Sequence, residues 1–192
     1  MKARRQTCIA GAALLATALA SCTTSQTNVP VCTRVENNLL VLEAQAVPSA
    51  TRIPCITSFA PGWTFGGSLV EKGRARMWLD SDRAGLHALQ VDLTRTCDTT
   101  GAVEVPSGPL DSGLRVLQKP TSLPPDFAGQ RYLLFRGGCI TYTYRFRPGT
   151  SSTLVLEADA TLGTVRRAGL VRAVGRVIDL TLCGASAPPC VG

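Results

Sequence analysis

Residues 131–147 read RYLLFRGGCITYTYRFR, and this stretch predicts an antiparallel β-hairpin. Apolar and polar side chains alternate on both sides of a glycine pair, which can adopt the positive φ that a two-residue hairpin loop requires. With Gly137 and Gly138 as the loop, Arg136 lies opposite Cys139, and directly opposed residues share a face. One face then carries Leu133, Phe135, Ile140, Tyr142, Tyr144 and Phe146, and the other carries Tyr132, Leu134, Arg136, Cys139, Thr141, Thr143 and Arg145.

A second hairpin is predicted over residues 74–95, after a turn at Lys72-Gly73. Both of its arms alternate, and the DSDRAG segment between them has turn composition. One face of this hairpin carries Ala75, Met77, Leu79, Leu89, Val91 and Leu93, and the other carries Arg74, Arg76, Trp78, Gln90 and Asp92.

The rest of the body is predicted as strands, loops and one helix. The apolar runs at 39–47 and 152–158 predict further strands, and the Pro/Gly-rich segments 103–113 and 117–130 predict irregular loops. Residues 165–177 place apolar side chains at helical spacing. The predicted fold class is therefore α+β, mainly an antiparallel β sheet or sandwich, with one C-terminal helix.

The chain begins with a basic segment and an apolar stretch over residues 9–20, too short for the roughly 20 residues of a membrane-spanning helix. This arrangement is typical of a secretory signal. The stretch ends on Leu19-Ala20-Ser21-Cys22, which resembles the lipobox of bacterial lipoproteins at all four positions. An ordinary cleaved signal with a chance cysteine, or an uncleaved anchor, is the alternative.

The resemblance implies how the N-terminus is processed. The thiol of Cys22 receives a diacylglycerol, and residues 1–21 are cleaved as the signal peptide. Residues 22–30 then form the lipidated cysteine and a small polar tether, and residues 31–192 form a single globular extracytoplasmic domain. The implied location is the extracytoplasmic face of the cell membrane, held by buried acyl chains.

Six cysteines remain after the signal and the lipidated position: Cys32, Cys55, Cys97, Cys139, Cys183 and Cys190. An even number in an exported chain predicts disulfides, and six cysteines allow 15 connectivities. The preferred set is Cys32–Cys55, Cys97–Cys139 and Cys183–Cys190, of which the last closes the short CGASAPPC loop. Metal binding is the rival hypothesis, but no pair has CxxC spacing.

Charge favours an anionic partner only mildly. Three of the 20 Lys and Arg residues lie in the signal, so 17 basic and 13 acidic residues remain. This balance and the predicted export argue against nucleic-acid binding, and favour a membrane surface or an anionic wall polymer. A possible basic surface consists of Arg74, Arg76, Arg136 and Arg145; an ordinary solvated strand face is the alternative.

No catalytic or metal-binding motif is recognised. His87 is the only histidine, and a catalytic histidine would have to combine it with Asp80, Asp82 or Asp92 in the fold. Asp80 and Asp82 lack the longer acidic run of a calcium loop. The sequence therefore predicts no catalytic residue, no metal and no cofactor.

Three functional classes remain open. A non-catalytic binding module for an envelope protein or anionic polymer is favoured, because the chain combines disulfides and a tether with no catalytic signature. A carrier of a lipid or other apolar small molecule is the second, and would need a cavity inside the sheet. A hydrolase-type envelope enzyme using His87 and a nearby aspartate is the third.

Overall fold

The fold is described by a computed structural model, which covers residues 29–34, 38–108, 113–122, 128–177 and 182. The predicted signal, the lipidation position Cys22, and the cysteines of the C-terminal loop lie outside the described residues. The elements are α1 (Asn38–Ala46), β1 (Arg52–Ile56), β2 (Trp63–Glu71), β3 (Arg74–Ser81), β4 (Gly85–Thr94), β5 (Val103–Val105), β6 (Arg115–Ser122), β7 (Ala128–Phe135), β8 (Gly138–Arg145), α2 (Leu154–Thr161), β9 (Leu162–Arg166) and α3 (Arg167–Val177).

Seven antiparallel strands form the main sheet, in the order β2-β3-β4-β8-β7-β6-β5. The two predicted hairpins, β3–β4 and β7–β8, lie side by side because β4 pairs with β8. Strands β1 and β9 form a separate two-stranded antiparallel sheet. The predicted fold class is confirmed: the described chain is mainly antiparallel β, with helices that include one near its C-terminal end.

The β7–β8 hairpin is confirmed, but its loop lies one residue earlier than predicted. Arg136 and Gly137 form the loop, so Leu133 lies opposite Ile140 rather than opposite Tyr142. Moving the loop by one residue changes each cross-strand pairing by two positions. Because side chains alternate with a period of two, every strand residue stays on its predicted face. Arg136 itself leaves the predicted outer face and lies exposed in the turn.

The two glycines of this turn are required for different reasons. Gly137 has a φ of +78°, and a Cβ there would lie 2.0 Å from the backbone oxygen of Ser49. Gly138 is the first residue of β8 and is buried, and a Cβ there would lie 2.7 Å from the ring of Phe135. Only the first glycine supplies a positive φ, which explains why the loop does not consist of the glycine pair.

Two apolar runs that predict strands, 39–47 and 152–158, instead form the helices α1 and α2. Both contain Leu, Glu and Ala, residues with high helix propensity. In α2 the buried residues Leu154, Ala158 and Thr161 follow at intervals of four and three, so they share one helix face. These strand predictions are wrong because a short apolar run does not distinguish a buried strand from a buried helix.

The predicted irregular loops are wrong in part, because β5, most of β6 and the start of β7 lie within 103–113 and 117–130. Strand β6 continues through Pro120, which has no backbone N–H for a sheet ladder. Its neighbour β5 pairs only with Val116 to Gln118. Pro120 therefore lies where β6 has one neighbour, an edge position that tolerates proline.

The predicted C-terminal helix is confirmed as α3, which begins at Arg167 because residues 165 and 166 complete β9. Its buried face carries Leu170 and Val174, and Arg172 is exposed. Among the described residues, no helix has the length and apolar character to cross a bilayer.

The main sheet has one apolar face and one polar face. The apolar face contributes to a core that it shares with the helices and the β1–β9 sheet, and Tyr142, Tyr144 and Trp63 are buried in that core. Among its largest fully buried side chains are Leu40, Ile53, Ile56, Met77, Leu79, Leu89, Leu93, Leu133, Ile140, Leu162 and Leu170.

Glu43 of α1 is an acidic residue inside this core. It is 1% exposed, and its Oε2 has no hydrogen-bond partner among the described residues. Burial raises the pKa of Glu43 well above its usual value, because a carboxylate loses hydration there. The folded protein therefore favours the neutral acid at this position.

Two disulfides staple the described chain, and both are predicted pairs. Cys32 is bonded to Cys55 with the Cα atoms 5.0 Å apart, and Cys97 is bonded to Cys139 with the Cα atoms 5.9 Å apart. The first bond attaches the N-terminal segment to β1, and the second attaches the segment after β4 to the start of β8.

Candidate functional site

The polar face of the main sheet holds a groove of about 450 Å³, called here the outer-face groove. It crosses β3, β4, β8, β7 and β6, whose outward side chains alternate with those of the core. Its lining residues are Arg74, Arg76, Gln90, Asp92, Thr94, Thr96, Cys97, Asp98, Lys119, Gln130, Tyr132, Thr141, Thr143 and Arg145.

Two arginines and one aspartate form the centre of the groove's β3 side. The Nε–H groups of Arg74 and Arg76 donate to the same oxygen, Asp92 Oδ1, at 2.7 and 2.8 Å. Strand register explains this geometry, because Arg76 is directly opposite Asp92 and Arg74 lies two residues away on the same face. The Asp92 side chain is 8% exposed, whereas those of Arg74 and Arg76 are 44% and 21% exposed.

Further contacts hold Asp92 in its ionised form. Gln90 donates its amide N–H to Asp92 Oδ2 at 2.5 Å. Burial alone raises the pKa of Asp92, but the hydrogen bonds from Gln90, Arg74 and Arg76 outweigh burial and leave the pKa below its usual value. The carboxylate is thus a fixed negative charge that orients both guanidinium groups.

Aromatic contacts support Arg76, one of these two arginines. The guanidinium carbon of Arg76 lies 5.7 Å from the ring centroid of Trp78, within cation–π range. The Trp78 indole N–H donates to Gln90 Oε1 at 3.4 Å, and the Trp78 ring stacks on His87. Trp78 therefore connects Arg76 with Gln90, and through Gln90 with Asp92.

The far side of the groove is lined by neutral polar groups and one lysine. The Tyr132 hydroxyl donates to Gln130 Oε1 at 2.7 Å, and Lys119 Nζ donates to the backbone oxygen of Thr100 at 2.8 Å. Burial and the nearby Asp98 raise the pKa of Tyr132, so its hydroxyl keeps its proton near neutral pH.

The Cys97–Cys139 disulfide forms part of the groove wall. The Thr141 hydroxyl donates to Cys97 Sγ at 3.0 Å, and the Thr94 hydroxyl donates to the backbone oxygen of Thr96 at 2.8 Å. These bonds hold the segment that follows β4 against the sheet. That segment also brings Asp98 into the groove.

The structure brings together three of the four arginines of the predicted basic surface. Arg74, Arg76 and Arg145 line the outer-face groove. Arg136 does not, because the observed turn places it at the end of the hairpin, where its carbonyl accepts a hydrogen bond from the Thr51 hydroxyl at 2.7 Å. Arg136 therefore occupies the turn instead of the strand position that a Gly137-Gly138 loop would give it.

Within the ranges that the structure describes, the three aspartates considered with His87 form their hydrogen bonds and ion pairs with groups other than its imidazole. The Asp80 carboxylate accepts the backbone N–H of His87 at 2.6 Å, Asp82 pairs with Arg83, and Asp92 is taken by the groove arginines. In the described part of the chain, the His87 imidazole makes no hydrogen bond to a carboxylate, and no cluster of His, Cys, Asp and Glu is arranged to hold a metal ion.

Sequence reasoning missed the β6–β7 side of the groove. Lys119 and Gln130 lie in the proline-rich stretch that predicts a loop, and alternation predicts the correct face for Tyr132 but no role for it. The stretch Leu117-Gln118-Lys119 shows no apolar–polar alternation, so no period-two signal marks it as a strand beside β7.

No protein-family model matches this sequence, and no curated protein matches it. Among solved structures, the chain is similar to a protein from Bacteroides thetaiotaomicron, with 8% sequence identity and a TM-score of 0.34. The similarity covers 70% of this chain and 61% of that chain, so this chain spans less than two thirds of the other protein's length.

Proposed function

We propose that this protein is an extracytoplasmic lipoprotein, held at the cell membrane by acyl chains on Cys22, and that it is a non-catalytic binding module for an anionic polymer of the cell envelope. The observation that carries the proposal is the charge of the outer-face groove. Four cations and two carboxylates line it, which leaves two positive charges in excess: Arg74, Arg76, Lys119 and Arg145 against Asp92 and Asp98.

The membrane anchor rests on the sequence of residues 19–22. Acylation of Cys22 would place the lipid ten residues ahead of Cys32, where the first disulfide attaches the chain to β1. The intervening residues are mainly small and polar, so they suit a tether that presents the domain to a neighbouring polymer.

The composition of the groove supports binding rather than catalysis. Its lining contains neither histidine nor serine, and its one cysteine is bonded to Cys139. Asp92 is ionised and already neutralised by two arginines, so it has no role as a proton shuttle near neutral pH. The groups that remain are charges and hydrogen-bonding groups suited to holding a polar anion.

Membrane fractionation tests the anchor. We expect the wild-type chain expressed in a lipoprotein-processing bacterium to partition with membranes, and Cys22→Ala to be released. Cys32→Ala combined with Cys55→Ala serves as the control, because it removes two other cysteines and leaves the lipobox intact. Equal membrane partitioning of Cys22→Ala and wild type would refute the anchor.

Envelope binding tests the groove. We expect the purified full-length chain to bind isolated cell-envelope polymers less tightly when Arg74→Gln and Arg76→Gln are combined, and less tightly at high salt. The matched control combines Arg172→Gln and Arg176→Gln, which removes two exposed positive charges from α3. Equal losses in both double variants, or no loss in either, would contradict a role for the groove.

A further inference from the structure

We infer that the outer-face groove recognises an acidic saccharide, whose anionic group is held by the outer nitrogens of Arg74 and Arg76 while Asp92 positions both side chains. This inference rests on the proposed function and deepens it by naming the class of polymer. The three residues act as one unit, called here the arginine clamp.

The clamp leaves most of its N–H donors open. Each arginine uses its Nε–H to bond Asp92, and among the described residues the terminal guanidinium nitrogens of Arg74 and Arg76 form no hydrogen bond. Guanidinium groups bind carboxylates and phosphates through paired N–H groups, so each arginine still offers a terminal NH₂ pair. An oxyanion entering the groove would meet four terminal NH₂ groups, two from each arginine.

The spacing of the two arginines suits one anionic group or two adjacent ones. Arg74 and Arg76 lie two residues apart on one strand face, a separation of about 6.7 Å between their Cα atoms. Both guanidinium groups bond a single oxygen of Asp92, which holds their Nε atoms close to each other. Because Asp92 already restricts both side chains and Trp78 also restricts Arg76, binding an anion costs less conformational entropy than it would for free arginines.

The remainder of the groove matches a chain of hydroxyl groups. Four threonines and two glutamines line it, and no Leu, Ile, Val or Met does. Its five strands span about 19 Å at the usual strand spacing, which is long enough for a short oligosaccharide. A peptide would need apolar pockets for its side chains, and a nucleic acid would need exposed aromatic rings, whereas Tyr132 is 3% exposed.

Calorimetric titration of the full-length chain in detergent tests the inference with defined probes. We expect hexagalacturonate to bind, and neutral maltohexaose of the same length to bind at least about tenfold more weakly, because it lacks the charged partner of the clamp. Inorganic phosphate should compete with hexagalacturonate, since it presents the oxyanion without the sugar chain. Equal affinity for the two hexasaccharides would overturn the inference.

Two aspartate variants separate positioning from net charge. Asp92→Asn and Asp98→Asn each remove one negative charge from the groove, so simple electrostatics predicts tighter binding for both. The clamp predicts tighter binding for Asp98→Asn and about fivefold or greater weakening for Asp92→Asn, because the arginines lose their orienting charge. Tighter binding in Asp92→Asn would overturn the positioning role.

Lysine substitutions keep the test decisive if Asp92→Asn folds poorly. Arg74→Lys and Arg76→Lys preserve charge at an exposed and a half-buried position, respectively, but remove the planar fork. We expect each to weaken hexagalacturonate binding about fivefold, and unchanged affinity would contradict the clamp. If these variants leave hexagalacturonate binding unchanged while the Arg74→Gln, Arg76→Gln double variant still loses envelope binding, the saccharide inference fails and the proposed function stands.

Discussion

The imidazole ring of His87 stacks on the indole ring of Trp78, with the ring centroids 5.2 Å apart and the planes inclined by 25°. His87 has a φ of +49°, in the left-handed region that non-glycine residues seldom adopt. Its backbone N–H is fixed by the Asp80 carboxylate at 2.6 Å. The ring contact and this hydrogen bond together stabilise an otherwise unfavourable backbone conformation at the start of β4.

The backbone at His87 predicts a difference between two substitutions. His87→Val and His87→Asn both remove the stacked ring, but only Asn tolerates a positive φ readily. We expect His87→Val to be less stable than His87→Asn by about 1–2 kcal/mol, measured by urea unfolding. Coincident unfolding midpoints for the two variants would show that the conformation carries no strain.

Asp92 makes a contribution to stability that depends on pH. Its pKa is lowered in the fold, so its stabilisation is fully present above the unfolded-state pKa of about 3.9 and is lost as pH falls through the folded-state pKa. We expect Asp92→Asn to destabilise the protein by about 1–3 kcal/mol at pH 7. Urea unfolding should show this deficit shrinking below pH 4, and an undiminished deficit at pH 3 would contradict the assignment.

The two described disulfides should differ in function more than in stability. They close chain segments with sequence separations of 23 and 42 residues, so loss of either bond should cost about 3–4 kcal/mol. Replacing Cys97 and Cys139 by serine should also weaken binding of envelope polymer, because Cys97 lines the groove. The matched control replaces Cys32 and Cys55 by serine, and should lose stability without losing binding of envelope polymer. Unfolding and binding are measured on the same samples.

Glu43 should make the folded protein more stable as the solution becomes mildly acidic. Its pKa is raised by burial, so the folded state keeps the Glu43 proton to higher pH than the unfolded state does. The cost grows as pH rises above about 4.3, the usual value for glutamate in an unfolded chain. We expect Glu43→Gln to be more stable than wild type at pH 7, and this advantage to decline towards pH 4.

The control for Glu43 is an exposed glutamate. Glu104 is paired with Arg115 at the surface, and that hydrogen bond lowers its pKa. Glu104→Gln should therefore lose a little stability at pH 7, the opposite direction from Glu43→Gln. A parallel pH response of the two variants would contradict the role of burial at Glu43.

Alternation was the part of the sequence that predicted structure well. Along β3, Ala75 and Met77 are buried between more exposed neighbours, and this pattern defines both the faces of the sheet and the position of Arg74 and Arg76. An error of one residue in the loop position changes the pairing by two, so it does not move side chains to the other face of the sheet. The polar face of the β7–β8 hairpin is therefore predicted correctly despite the shifted turn.

Helices and the distant half of the groove were harder to predict for two physical reasons. The runs that became α1 and α2 are only nine and eight residues long and contain few polar residues, so they show no clear period. Lys119 joins the groove only because β6 pairs with β7, and Gln130 joins it because β7 pairs with β8, and both pairings are tertiary relationships. Local composition indicates a loop there.

The Cys32–Cys55 bond determines where tension enters the fold. Val31 bridges to Ile56, and Cys32 donates its backbone N–H to Ile56 at 2.9 Å, so the entering chain is joined to β1 both covalently and by hydrogen bonds. A pull on the chain ahead of Cys32 is therefore transmitted directly to β1 and its partner β9, bypassing α1. Mechanical load therefore reaches the small two-stranded sheet before the seven-stranded sheet that holds the groove.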